Sequence, residues 1–381
     1  MGHASSTVEI RSVQTPQDQE LFLDVPTRVY KGDRNWVPPF RSSIAKQLAP
    51  DNAFRQYGRL QQFIAVDSQT QEAVGRIVAA VNDRLIEREG QPIGLMGYFE
   101  CINDFDTAEA LLKAACDWLR EQGMTIVRGP IDLFTHNRCL FLVHGFDTPP
   151  TIMMPYNPPY YPEFVEKDGW HKAKDAYAYD FPIASVLPEE FEKAYRIATK
   201  AGITFRPIRT KGAAFEEDAI SVYNLTTQMF ANNYSTTPRP QEEFLEEARS
   251  MQTLIDPDVF PVAEHDGKMI GYWFGLPDYN IALKHVNGKL DLWGTLKFLW
   301  YRRNIDQGRV LLFCCLPEYR RQRVPLALIY LGLQGGLKKG KPYKRAELGH
   351  VYEDNMPSRK LIEATGGKIY KTYRIYEKSL G

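Results

Sequence analysis

Residues 310–340 read VLLFCCLPEYRRQRVPLALIYLGLQGGLKKG, residues 344–355 KRAELGHVYEDN, and residues 359–377 RKLIEATGGKIYKTYRIYE. An apolar run, Val310 to Leu316, passes through Pro317-Glu318-Tyr319 into three arginines, Arg320, Arg321 and Arg323. Beyond them Leu326, Ile329, Tyr330, Leu333 and Leu337 recur at three- and four-residue steps, which predicts a helix with one apolar face. A buried strand that opens through an arginine turn into a helix is an anion site in outline. The first N–H groups of a helix have no internal partner, and its dipole adds positive potential there. The guanidinium groups add charge where a pyrophosphate would sit. A solvated basic turn at the mouth of a sheet fits the same residues.

This strand, the P-E-Y-R-R-Q-R-V-P turn, the helix, a further strand and an E-D-N turn resemble the acyl-CoA-binding core of the GNAT N-acyltransferase superfamily. The closing G-G-K-I-Y-K-T-Y-R-I-Y-E-K resembles the terminal strands of that fold. The family's phosphate loop has the form [QR]-x-x-G-x-[GA]. Arg320 matches its first position, while Arg323 and Pro325 stand at the two small-residue positions. Glycine lets backbone approach a phosphate closely, Pro325 has no N–H to offer, and Arg323 supplies charge instead. The resemblance implies acyl-CoA or acetyl-CoA as co-substrate, held around Leu316, Arg320, Arg321, Gln322, Arg323, Val324 and Asn355, with no metal.

At 381 residues the chain is longer than one such domain, so two domains are expected. Apolar residues make up 44% and charged residues 25%, as in ordinary globular proteins. The 47 basic and 47 acidic residues cancel, which argues against a nucleic-acid partner. Cys101, Cys116, Cys139, Cys314 and Cys315 show no C-x-x-C spacing and lie in mostly apolar surroundings. They are expected to be reduced core residues of a cytoplasmic protein rather than a disulfide or zinc framework. No apolar run reaches membrane-spanning length, and a signal-peptide core is not expected. Met1 to Ser6 fits a loose myristoylation pattern, although a disordered start is the expectation.

One plan is written twice. A first strand is expected at Glu9 to Val13 and a helix at Gln17 to Tyr30. A hairpin comes next (Phe63 to Asp67 and Ala73 to Val81), then a strand (Ile93 to Ile102), a helix (Thr107 to Gln122) and a strand (Thr125 to Gly129). The second version gives Phe260 to Glu264, Met269 to Phe274, Val310 to Leu316, Val324 to Lys338 and Arg345 to Val351. Phe164 to Gly169 aligns with Leu361 to Gly366 at an offset of 197, and the same offset pairs Lys174 with Lys371, Tyr179 with Tyr376 and Asp180 with Glu377. The expected fold is α/β (α+β), with two GNAT-like domains at 5–181 and 185–381. Each is a mixed central sheet flanked by helices, and the linker falls near Pro182 to Pro188.

Two stretches stand outside the repeat. Residues 153–162, MMPYNPPYYP, hold too many prolines for a regular helix. They predict a rigid loop whose Tyr156, Asn157, Tyr160 and Tyr161 either line an acceptor pocket or form an aromatic plug. Residues 283–309 are an insertion in the second copy, with Trp293, Leu296 and Trp300 on one face of a helical core spanning 290–303. That helix is expected to cover the second sheet. Tryptophan beside Lys297, Arg302 and Arg303 is also the composition of an interfacial helix, which would place the protein peripherally at the inner membrane face.

Acylating an amine from a thioester needs a neutral amine, an oxyanion donor and a proton acceptor. In GNAT-like folds two central parallel strands separate to admit the thioester, and here those would be 310–316 and 345–351, or 93–102 and 125–129. Glu347 and His350 flank the first of these clefts. Three apart on a strand, they point to opposite faces. Glu100 lies in an apolar strand, where a carboxylate is either a base with a raised pKa or half of a buried ion pair. The family's tyrosine acid falls on Val165 and Ile362, which carry no proton, so Tyr376 and the loop tyrosines are substitutes by proximity. The acidic turn of the first copy, Asp104 to Thr107, repels pyrophosphate. The first copy therefore serves as the degenerate acceptor side and the second as the acyl-CoA side.

The activity this implies is an acyl-CoA-dependent N-acyltransferase acting on a small-molecule or lipid amine. A long-chain version would resemble the bacterial ceramide synthases. A non-catalytic scaffold or ligand sensor with the same fold, or a Fem-like transferase using aminoacyl-tRNA, are the competing classes.

Overall fold

The computed structural model describes residues 8–237, 239–286, 288 and 291–381; Met1 to Ser6 and Leu290 lie outside the described residues. The described chain forms two compact units. The first comprises Met1–Ala176, Val286–Asp291 and Lys371–Gly381, and the second Tyr177–His285 and Leu292–Tyr370.

Unit one is built on β1 (Val8–Ser12), β2 (Gly58–Asp67), β3 (Ala73–Asn82), β4 (Ile93–Cys101) and β5 (Ile126–Gly129), with a short β6 (Phe141–His144). Strands β1 to β4 are antiparallel neighbours, and β4 and β5 are parallel. Every residue of β3 and β4 is buried, so these strands carry continuous apolar runs rather than an in–out alternation. Helix Phe105–Glu121 packs there through Leu111, Leu112, Ala115 and Leu119. Its N-cap is Asp104, whose carboxylate accepts from Thr107 N at 3.0 Å.

Strand β7 (His171–Pro182) begins in unit one and enters unit two at Tyr177. Unit two continues with β8 (Thr204–Pro207), β9 (Pro261–His265), β10 (Lys268–Pro277), β11 (Gln307–Cys315) and β12 (Arg345–Tyr352). Their order is β7-β12-β11-β10-β9-β8, with β11 and β12 parallel. Helix Val324–Leu337 supplies the core through Val324, Ala327, Leu328, Ile329 and Leu333. The last strand, β13 (Lys368–Ser379), leaves unit two at Tyr370 and pairs antiparallel with β5 of unit one, Tyr376 opposite Gly129.

The two copies thus exchange their closing strands, and the side chains record it. Tyr179 of the first copy donates to Glu363 Oε1 at 3.0 Å, whereas its repeat equivalent Tyr376 donates to Glu166 Oε1 at 2.8 Å. Glu166 and Glu363 are themselves repeat equivalents. Likewise Asp180 pairs with Arg345 and Glu377 with Arg128, both at 2.5 Å. The boundaries expected from the repeat, 5–181 and 185–381, therefore differ from the compact units: residues 177–181 join the second unit and 371–381 the first. Sequence duplication marks the copies, whereas hydrogen bonding crosses them.

The insertion does form a helix, Leu292–Tyr301, but the face expected to cover the second sheet does not do so. Leu292, Trp293, Leu296, Leu299 and Trp300 are exposed, and of the helix only Gly294 is buried.

Candidate functional site

In each unit the parallel pair parts, and beside each parting the first strand of the pair carries a bulge. In unit one the β4–β5 ladder ends at Leu95 opposite Arg128. The β3–β4 register then shifts between Arg76–Glu100 and Val78–Gly97, and Tyr98 adopts φ +51°. The space between the strands is filled. Ile131 N donates to Met96 O at 2.7 Å and Tyr98 N to Asp132 Oδ1 at 2.6 Å. A Cβ on Gly97 would lie 2.5 Å from Ile131 O, so glycine is what admits the filling loop.

Behind that loop lies a buried polar cluster on Glu100, which is 1% exposed. Tyr30 and Tyr161 donate to Glu100 Oε2 at 2.9 and 3.0 Å, and Arg138 to Oε1 at 2.9 Å, with Arg76 at 3.8 Å. Arg138 also pairs with Asp132 at 3.2 Å. Burial and the neighbouring Glu100 charge hold both phenols well above their ordinary pKa, so they remain donors. Burial pushes Arg76 below its usual value against the pull of Glu100. Both Glu100 oxygens are engaged, the arrangement of a buried ion pair rather than of an available base.

In unit two the β11–β12 ladder runs from Gln307–Arg345 to Val310–Leu348 and stops. Leu311 is the extra residue of a bulge, since Val310 faces Gly275 and Leu312 faces Phe274. Whereas all nine residues of β4 are buried, Leu311, Leu312 and Phe313 are half-buried. Chain length explains the contrast. Between β5 and its next helix, Tyr160–Lys167, lie residues 130–159; between β12 and its next helix, Met356–Ala364, lie only 353–355.

At the last rungs before this gap, Arg309 faces Glu347. Arg309 donates to Gly349 O at 2.9 Å and lies 3.7 Å from the Glu347 carboxylate, which Tyr370 also engages through its hydroxyl. Burial and then Glu347 raise the Tyr370 pKa. His350, half-buried just past the ladder, is pushed down to about 4 by burial and by Arg309, so its ring is neutral at pH 7.

At the far end of β11, residues Pro317–Gln322 form a 3₁₀ turn, and Arg323 adopts the left-handed conformation, φ +65°, as N-cap of helix Val324–Leu337. No side chain caps that helix start. Arg320, Arg321 and Arg323 are exposed, and among the described residues none pairs with a carboxylate. The Gln322 side-chain oxygen is buried with no hydrogen-bond partner. A helix start and three available guanidinium groups fit a phosphate-bearing ligand.

The remaining expected site residues separate into two groups. Leu316 is the half-buried cap of the 3₁₀ turn, and Asn355 caps helix Met356–Ala364 by accepting from Ser358 N at 3.3 Å. Tyr376 sits in unit one, its pKa raised by burial and by the Glu166 it donates to, apart from the unit that holds Glu347 and His350. Asn157 is buried and clamps Leu142 through its backbone N (2.7 Å) and O (3.2 Å), and Tyr161 is fully buried on Glu100 and Cys101. These two are interior braces rather than pocket walls. Tyr156 and Tyr160 are half-buried, donating to Asp33 and to Cys101 O. Sequence reasoning missed Arg309, Tyr370, Asp132 and Arg138. Charged residues set inside apolar runs, such as Asp132 after Ile131 and Arg309 before Val310, were the signal available. Among the described residues no group of three or more His, Cys, Asp or Glu side chains converges to hold a metal ion.

No family model matches the chain. It is 29% identical over 385 residues to the bacterial ceramide synthase of Caulobacter vibrioides (strain NA1000 / CB15N), spanning 99% of this chain and 98% of that protein. It is 27% identical over 375 residues to protein YghO of Escherichia coli (strain K12), spanning 97% and 95%. In three dimensions it superposes on a tandem GNAT protein from the clavulanic acid biosynthesis pathway with a TM-score of 0.56 at 16% identity, covering 98% of this chain and 99% of that one. The fold is that of a tandem GNAT protein.

Proposed function

We propose that the protein is an acyltransferase that moves an acyl group from acyl-CoA to an amine, with unit two as the donor side. The observation that carries this is the arginine-rich, uncapped helix start at the end of a parallel strand pair whose ladder stops at Val310–Leu348. Arg320, Arg321 and Arg323 would hold the pyrophosphate. The gap beyond Val310 would take the thioester, where β11 backbone groups have no rung on β12. Amide formation makes a C–N bond, breaks the C–S bond, and moves one proton from nitrogen to the departing thiolate. With a thiol pKa of about 8.5 the thiolate is a tolerable leaving group. Neutral His350 can accept a hydrogen bond from the amine, but at a pKa of about 4 it stores protons poorly at pH 7.

A long-chain substrate is the preferred version. It is supported by the relative named a bacterial ceramide synthase, ceramide being a long-chain amide, and by the half-buried apolar Leu311, Leu312 and Phe313 beside the gap. The acceptor would then be a lipid amine, and the acting side of the protein would meet amphiphiles rather than nucleic acid.

Thermal melting with free CoA, acetyl-CoA and palmitoyl-CoA tests this. A ligand at a hundred times its Kd stabilises the native state by about 2.7 kcal/mol. Stabilisation by palmitoyl-CoA, and its loss in Arg320→Ala/Arg323→Ala, is the expected result, with amide product detected by mass spectrometry on a long-chain amine. A shift with none of the three points instead to a non-catalytic protein of this fold.

A further inference from the structure

We propose that helix Leu292–Tyr301 is a docking helix that lies on an anionic lipid bilayer. At roughly 100° per residue, Leu292, Trp293, Leu296, Leu299 and Trp300 fall within one arc of about 120°. That arc faces outward: Leu292 is 73% exposed, Trp293 72% and Trp300 66%. The opposite side holds the helix to its unit. Phe298 meets Tyr279 with ring centroids 5.8 Å apart, Tyr301 stacks on His285 at 3.7 Å, and Gly294 is buried. The usual arrangement of a surface helix is thus inverted. Isolated exposed apolar residues are ordinary, but five on one face mark an interaction surface.

Charge selects the occupant. From Leu292 to Arg303 the chain carries Lys297, Arg302 and Arg303 and no acidic residue. Lys284 and Lys297 both bear on His285, and Arg303 lies 5.6 Å from the Trp300 ring. Among the described residues none of these four cations pairs with a carboxylate. A second copy presenting the same face would set positive charge against positive charge. Anionic headgroups oppose it with negative charge, while tryptophan and leucine enter the headgroup boundary. Among the described residues no helix is long and apolar enough to cross a membrane, so the helix would lie on the surface.

Vesicle flotation of the full chain tests this without any acyl transfer, so its outcome is independent of the proposed activity. The probes are vesicles of phosphatidylcholine alone and of phosphatidylcholine with phosphatidylglycerol. The protein should float with the anionic vesicles. Trp293→Ala/Trp300→Ala should cut the bound fraction at least tenfold with an unchanged melting temperature, since both side chains are exposed. Arg302→Ala/Arg303→Ala should weaken only the binding to anionic vesicles. Wild-type protein that stays unbound with both vesicle types overturns the proposal, as does a double-tryptophan variant that floats like wild type. A wild-type dimer that this variant converts to monomer, without vesicle binding, assigns the face to a second copy instead.

Discussion

Strands β4 and β5 part after Leu95, and strands β11 and β12 part after Val310, yet the chain treats the two openings differently. In unit one, residues 130–140 close the gap with Ile131 and Asp132 bonded to β4, and a carboxylate cluster is sealed behind them. In unit two only three residues lead from β12 into the next helix, so the closing segment of unit one has no counterpart at that place in the chain. The helix after the first strand of each pair differs in the same sense. One begins on an acidic cap, Asp104, and the other on an uncapped turn of arginines. One copy has put its parting to structural use, and under the proposed function the other would serve a ligand. Loop length, rather than strand geometry, separates the two.

The largest test is Glu100→Ala. It should cost about 3–5 kcal/mol in urea unfolding, because Arg76 and two phenols lose their buried partner. If Glu100→Gln instead folds normally and abolishes transfer, unit one is catalytic and the contrast between the units fails. His350 comes next. Its folded pKa of about 4 lies below the ordinary 6.5, so the unfolded state binds the extra proton between those values. Stability from this residue is complete above about pH 6.5 and declines as pH falls toward 4, by up to about 3 kcal/mol. His350→Gln should flatten that slope in melts at stepped pH. A wild-type profile already flat there would mean that the ring in the gap is well solvated.

A smaller effect has two opposed readouts. Arg323→Gly should raise stability by about 0.5–1 kcal/mol, because a side chain at φ +65° is strained. The same change should lower the palmitoyl-CoA shift; a gain in both would remove Arg323 from the phosphate site. Smallest is Asn355→Ala, expected to cost about 1 kcal/mol as the loss of a cap. A fall in acyl-CoA affinity exceeding that cost would make Asn355 a ligand contact as well.

Much of the fold was legible because its elements are long and strongly patterned. The helix expected at 324–338 forms at Val324–Leu337, the strand expected at 93–102 at Ile93–Cys101, and the 197-residue offset marks the duplication. The exchange of closing strands was not legible, since β7 and β13 are repeat equivalents and either can complete either sheet by pattern alone. The arginine turn was legible because three like charges beside an apolar helix are a local signal. The closure of unit one was not, because Asp132 reaches Tyr98 and Arg138 reaches Glu100 across 34 and 38 residues. Nor was the outward face of Leu292–Tyr301, because periodicity reveals a stripe but not which way it points.

That β13 completes unit one has a consequence for biosynthesis. Apart from the short segment Val286–Asp291, unit one is otherwise spelled out by Ala176, yet Lys371–Gly381, which supply the partner of β5, emerge nearly two hundred residues later. At about 5–20 residues per second the ribosome needs roughly 10–40 s to cover that distance. Through that interval β5 exposes a bare edge, the kind of surface that chaperones shield and that pairs wrongly with neighbouring chains.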